Sequence, residues 1–291
     1  MVSTRETTRT HSRLCLQSSM SSSVRPVIRR LNKLGIPEQS RVWWCPTSVF
    51  GYLPLHAMGP IPSDDGDLRY FSGLYISSYT PTLSALITSR EPTRTYSLPT
   101  LPVARLGPFR PEAWADIPLI PGLDLQTSSL SSRNIPLTTV LDSLQRCRFA
   151  HVAYHGTSKV PKQIDAAVLF YSRERLNLFE NVPSRHSAGG FAFLPASHMA
   201  ELTDGSIPDE ALYISAALQY SGYRSIIRTV WGMVNKDGRD FAKDVYQSMF
   251  SGKDRGEPYS ERSASALQHA VQRMRRNKPL VRWVNYVHYG A

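Results

Sequence analysis

A chain of 291 residues with 41% hydrophobic content is long and apolar enough to bury a sizeable core, and a formal net charge of +11 leaves nucleic acid open as a partner. Three cysteines without regular spacing (Cys15, Cys45, Cys147) exclude a disulfide framework. That cysteine usage, with an N-terminus that lacks the apolar run of a secretory signal, leads to the expectation of an intracellular, cytoplasmic location. No stretch nears the roughly 18 apolar residues a membrane-spanning helix requires, so a soluble protein with no membrane partner is expected.

Met1 to Ser23 is rich in Ser, Thr and Arg, with Glu6 its single acid and no apolar periodicity. It reads as a disordered basic N-terminal arm, with a mitochondrial targeting segment as the alternative. One α/β domain is expected over 24–291. It opens with a short helix in which Val24, Val27, Ile28 and Leu31 recur at helical spacing and Leu34-Gly35 closes the run. Arg41 to Leu55 reads as a strand pair broken by Pro46 and Gly51, with Cys45 a small buried hydrophobe and His56 a turn histidine. A turn cluster at Pro60 to Gly66 precedes a strand over Leu74 to Ser78. A helix over Pro81 to Ser89 then turns Leu83, Leu86 and Ile87 inward.

Arg90 to Pro136 is proline-rich and has little periodicity. Leu137 to Gln145 reads as a helix that leads into the strand run Phe149-Ala150-His151-Val152-Ala153-Tyr154-His155-Gly156 by a right-handed crossover, with Cys147 packing at the junction. Ala166 to Tyr171 reads as a further buried strand, and Arg173 to Asn181 as its hairpin partner or a short helix. A second strand run, Phe191-Ala192-Phe193-Leu194-Pro195-Ala196-Ser197-His198, resembles the first. Both are uncharged and strand-length, as strands buried on both faces of a mostly parallel sheet are. In such sheets reactive groups gather past the carboxyl ends of strands, which singles out His155 and Ser197.

The remaining elements continue the alternation. Pro208-Asp209-Glu210 starts a helix with Ala211, Ile214 and Leu218 on one face and Gly222 at its end. Ser225 to Trp231 is a strand. Phe241, Val245 and Met249 mark a helix, and Ala264, Leu267, Val271 and Met274 another whose Arg275, Arg276 and Lys278 suit the negative end of its dipole. Val281 to Tyr289 reads as a final aromatic strand. Strand–helix alternation of this kind argues for an α/β three-layer sandwich.

Several ordered blocks carry a family resemblance: RVWWCPTSVFGYLPLHAMG, SSYTPTLSAL, HVAYHG, AAVLFY, FAFLPASHMAEL, PDEALYISAALQYSGYRSIIRTVW and WVNYVHYGA. Together they resemble the CHAT domain, a caspase- and separase-like cysteine peptidase domain often joined to tetratricopeptide repeats, from about Val24 to the end of the chain. The resemblance implies a caspase-like three-layer α/β/α sandwich with a mostly parallel central sheet. It also implies that the His of a His-Gly pair (His155-Gly156, with Gly156 as loop or oxyanion support) acts as general base, and that an Ala-Cys dipeptide supplies the nucleophile. Here that dipeptide is Ala196-Ser197. Two further departures from the family pattern are Lys159, where an acid follows the His-Gly pair, and Asn235, where an Asp follows the Trp pattern.

A thiol with a pKa of about 8.5 needs only a nearby imidazole to become a nucleophile. A serine hydroxyl needs a base, an orienting group and an oxyanion hole together. The resemblance therefore implies a catalytically impaired peptidase homologue that acts through a protein or peptide partner. The alternatives are an active endopeptidase that uses His155 with Ser197 or Cys45, and a basic nucleic-acid-associated protein. No metal or cofactor is expected. His151 and His155 on one strand stand about 13 Å apart, too far to share an ion, and no glycine-rich phosphate loop occurs.

Overall fold

The computed structural model describes residues 24–47, 50, 53–59, 61–62, 68–91, 103–106, 127–130, 147, 149–152, 167–169, 175–177, 190–195, 215–216, 218–219, 222–230, 233, 235–251 and 259–291. They belong to two compact units divided between Ser77 and Ser78.

In the first unit, residues 24–33 form helix α1. Val24 is buried while Val27, Ile28 and Leu31 are half-buried, the stripe expected from their spacing. Gly35 at φ 67° ends the run, and Ile36 N–H returns to the Leu31 carbonyl at 3.0 Å. Strand β1 (Arg41–Trp44) places Trp44 edge-on against Phe71 of the short helix α2 (Phe71–Leu74), ring centroids 4.9 Å apart. Phe71 has no exposed surface and also meets Tyr75 at 5.2 Å, so this aromatic trio is the core of the unit. Tyr75 Oη donates to Asn32 Oδ1 at 3.1 Å and ties α1 to it.

The strand expected in the second half of Arg41 to Leu55 is absent among the described residues. Pro54 has no N–H to give a ladder, and Leu55–Ala57 close into a buried 3₁₀ turn that includes His56. Cys45, expected inside, is exposed because β1 ends at Trp44 and Cys45 lies on the segment that leaves it. Strands β2 (Ile61–Pro62) and β3 (Leu68–Arg69) pair antiparallel.

The second unit is built on a sheet with strand order β4 (Ile76–Tyr79), β12 (Tyr286–Gly290), β11 (Tyr223–Thr229), β10 (Gly190–Leu194), β7 (Phe149–Val152), β5 (Val103–Leu106) and β6 (Thr127–Leu130). The run β11-β10-β7-β5-β6 is parallel throughout. β12 runs antiparallel to β11 and parallel to β4.

Alternation along the strands shows how the sheet is covered. Ser225 of β11 bonds to Ser263 of helix α5 (Tyr259–Arg275), whereas its neighbour Arg224 donates from Nε to the Ser89 carbonyl of helix α3 (Leu83–Arg90) at 2.6 Å. Adjacent strand residues face opposite ways, so α5 and α3 cover opposite faces. Helix α4 (Asn235–Phe250) shares the α5 side, where Phe250 packs on Phe149 at 5.4 Å and Tyr246 on Phe193 at 5.9 Å. The result is an α/β/α sandwich with a mostly parallel sheet, as expected.

All five residues of β10 are buried, which is why its sequence carries no charge. Its bulky Phe191 and Phe193 meet α4, and the small Ala192 faces the other layer. In β7, Phe149 and Ala150 repeat that division. Full burial of each phenylalanine stabilises the fold by roughly 1.5–3 kcal/mol.

Two further expectations are corrected here. Leu83 and Ile87 on α3 are 67% and 66% exposed, because the helix turns Ser89 rather than those residues to the interior. The strand expected over Ala166 to Tyr171 is present as β8 (Ala167–Leu169), and it pairs antiparallel with β9 (Arg175–Asn177), the hairpin partner expected within Arg173 to Asn181. The final segment is a short helix α6 (Leu280–Trp283) before β12, since Pro279 starts a turn that Val284 N–H closes on Leu280. The helix expected over Leu137 to Gln145 lies outside the described residues.

Candidate functional site

The two strand runs singled out in the sequence are neighbours. β7 and β10 pair in parallel with Phe149 opposite Phe191, Ala150 opposite Ala192 and His151 opposite Phe193. Parallel, adjacent strands bring their carboxyl ends to one edge of the sheet, where loops build the crevice of such folds. His155, Gly156, Lys159 and Ser197 follow these strands and lie outside the described residues; the described part of β10 leads as far as Pro195.

The sheet and its helices carry three polar clusters that sequence reading did not assign. His151, buried, shares a 2.8 Å hydrogen bond between its Nδ1 and Tyr246 Oη of α4, and its ring stands 5.1 Å from that of Phe193. The imidazole is thus held by a phenol within an aromatic layer, and serves to fix α4 over β7 and β10. A polar residue on the large-residue face of an otherwise apolar strand was the available signal.

A second anchor fixes the start of α4, whose first residue is Asn235. Asp237 is buried and bonds Arg282 Nε, while Lys278 Nζ lies 3.0 Å from its Oδ1. Burial alone pushes the Asp237 carboxyl up, but hydrogen bonds and charge from Arg282 and Lys278 prevail and hold it below its ordinary value. Gly238 lies so close to Met233 that a Cβ would meet its Cε and Sδ. Tyr286 Oη donates to that sulfur at 3.5 Å and its ring stacks on Phe241 at 3.6 Å. The α4 start is therefore pinned to α6 and β12.

A third cluster ties the far side of the sheet to α5. His288, fully buried on β12, reaches Ser225 Oγ at 2.8 Å and Ser263 Oγ at 2.9 Å through Nε2, and Ser78 Oγ at 3.0 Å through Nδ1. Ser263 also donates to the Ser260 carbonyl at 2.6 Å. One imidazole thus joins β4, β11, β12 and α5, a buried network that is worthwhile because its members satisfy one another.

Among the described residues no group of three or more His, Cys, Asp or Glu side chains could hold a metal ion, and no helix is long and apolar enough to cross a membrane. Cys147 is buried, as its packing role requires.

A parallel-centred sheet clad by helices on both faces, with two apolar strands ending side by side, defines an α/β/α sandwich. Residues 21–291 match the model of the CHAT domain, and the chain belongs to that family. Its structure is similar to separase in two crystal structures of the Saccharomyces cerevisiae separase–securin complex. One, at 3.0 Å, has a TM-score of 0.53 and 13% identity; the other, at 2.6 Å, has 0.51 and 14%. Each match covers 85% of this chain and 15% of the separase chain, so this chain spans a small part of that protein's length. The Arg-specific cysteine proteinase gingipain R is also matched, with a TM-score of 0.46 and 8% identity over 74% of this chain and 54% of that one. No curated protein matches the sequence.

Proposed function

We propose that this chain is a CHAT-domain peptidase homologue in which Ser197 occupies the nucleophile position opposite His155, and that it works by binding a protein or peptide rather than by efficient peptide hydrolysis. The observation that carries the reading is the parallel, in-register pairing of β7 with β10. His155 stands four residues beyond His151 and Ser197 four beyond Phe193, and those two reference residues are partners. Equal spacing from a shared register supports a common place for both at the carboxyl edge.

Exchange of sulfur for oxygen removes the ionisable nucleophile on which a two-residue site depends. Lys159 and Asn235, where the family carries acids, also support loss of base orientation and of a basic-substrate pocket. Separase, the similar structure, is bound to a protein partner, securin, which supports a protein-binding role here. The family match supports one CHAT-like domain behind a short N-terminal arm. Cysteine usage supports a reducing, intracellular setting.

A peptide-library cleavage assay on purified parent, Ser197→Cys, His155→Ala and Cys45→Ser proteins tests the proposal. Expected are no cleavage by the parent and a gain of thiol-dependent cleavage in Ser197→Cys that the added His155→Ala change removes. Cleavage by the parent that is lost in His155→Ala or in Cys45→Ser overturns it.

A further inference from the structure

Helix α1 of the first unit presents a charged face. Arg25, Arg29 and Lys33 follow one another at helical i, i+4, i+8 spacing over about 12 Å, with Arg30 beside them, and all four are exposed. The helix has no acidic residue, and none of the four makes an ion pair among the described residues. The nearby Glu38 is taken by Arg69 at 3.7 Å. Glu6 is the one acid in the first 33 residues, which also carry Arg5, Arg9 and Arg13.

The turn after the helix adds a different chemistry. Leu34 is 56% and Ile36 37% exposed, on either side of Gly35, around whose Cα a Cβ would find open space. Two apolar side chains thus project beside Arg30 and Lys33.

We infer that the α1 face and its Leu34-Gly35-Ile36 tip form a docking surface for a membrane whose headgroups are anionic. Four clustered cations are drawn to such a surface, and a short apolar tip beside them gains by entry into the interfacial layer while the cationic stems stay at headgroup level. A partner that wraps an amphipathic helix is disfavoured: Val24 is buried, Val27, Ile28 and Leu31 are half-buried, and Tyr75 holds Asn32, so the helix offers only its charged side. Nucleic acid answers the charge but gives the apolar tip no partner.

The test is flotation of the full chain with phosphatidylcholine vesicles, with and without phosphatidylserine, across a salt series. Binding to the mixed vesicles, none to the neutral ones, and release by salt are expected. Reversal of all four charges (R25E, R29E, R30E, K33E) should lower partitioning by roughly a hundredfold or more. The pair L34S and I36S should lower it by roughly tenfold and leave the salt dependence intact. These residues are exposed, so circular dichroism should show each variant folded. The proposal is overturned if the parent does not bind anionic vesicles or if the charge-reversed α1 variant binds like the parent. It is also overturned if R5E, R9E and R13E abolish binding by themselves, or if duplex nucleic acid displaces the vesicles with no dependence on Leu34 and Ile36.

Discussion

Asp237→Asn tests the clamp at the start of α4. The parent carboxylate is 2% exposed, and its partners Arg282 and Lys278 are 31% and 36% exposed. Removing one member of a fully buried pair costs about 3–5 kcal/mol, because the charge left behind cannot be solvated. Here the cations left behind reach water, which reduces the loss to that of one charge-assisted hydrogen bond from Arg282 and one ion pair with Lys278, about 1–3 kcal/mol in all. The carboxyl titrates lower in the folded chain than in the unfolded one, so the native state binds fewer protons in that window and stability rises with pH across it. The contribution is complete above the ordinary carboxylate value of about 4 and is lost as pH falls through the folded value. Urea unfolding followed by circular dichroism should therefore show the variant weaker than the parent at neutral pH, with the gap narrowing below about pH 4. An equal gap at both pH values, or none at neutral pH, refutes the clamp.

Two further perturbations probe the sheet. His288→Leu replaces an imidazole that reaches Ser78, Ser225 and Ser263 with a side chain that can bond none of them, and should cost about 2–4 kcal/mol in the same unfolding assay. A double-mutant cycle with Ser263→Ala should give a coupling above about 0.5 kcal/mol, and additivity would argue against the network. Gly290→Ala places a Cβ on the Arg224 carbonyl at a residue whose φ is 106°; the obstacle is backbone and cannot swing aside, so a loss of about 2 kcal/mol or more in thermal unfolding is expected.

Much of this architecture could be read in the chain. The paired runs Phe149-Ala150-His151 and Phe191-Ala192-Phe193 announced buried strands because a strand covered on both faces has no place for charge, and the coordinates make them parallel neighbours. The spacing of Phe241, Val245 and Met249 and of Ala264, Leu267 and Val271 marked helix faces that are indeed buried. Those signals are local, and local periodicity depends on which side of an element meets the core.

Pro54 and Pro279 decided two departures locally, whereas for helix α3 the deciding contact was remote. Leu83 and Ile87 have the spacing of a core face, yet α3 rests on the sheet through Ser89 and Arg224, and nothing in the helix itself reveals that choice. The residues of the His288 network lie up to 210 positions apart, and Asp237 finds Arg282 across 45. The sequence by itself determined most of the strands and helices and the family, because these depend on residue type and short-range order. Only the tertiary structure decided which strands are neighbours, which helix faces stay in water and which polar groups are buried together. Those outcomes follow from long-range packing, where a side chain's partner is set by topology rather than by its neighbours in the chain.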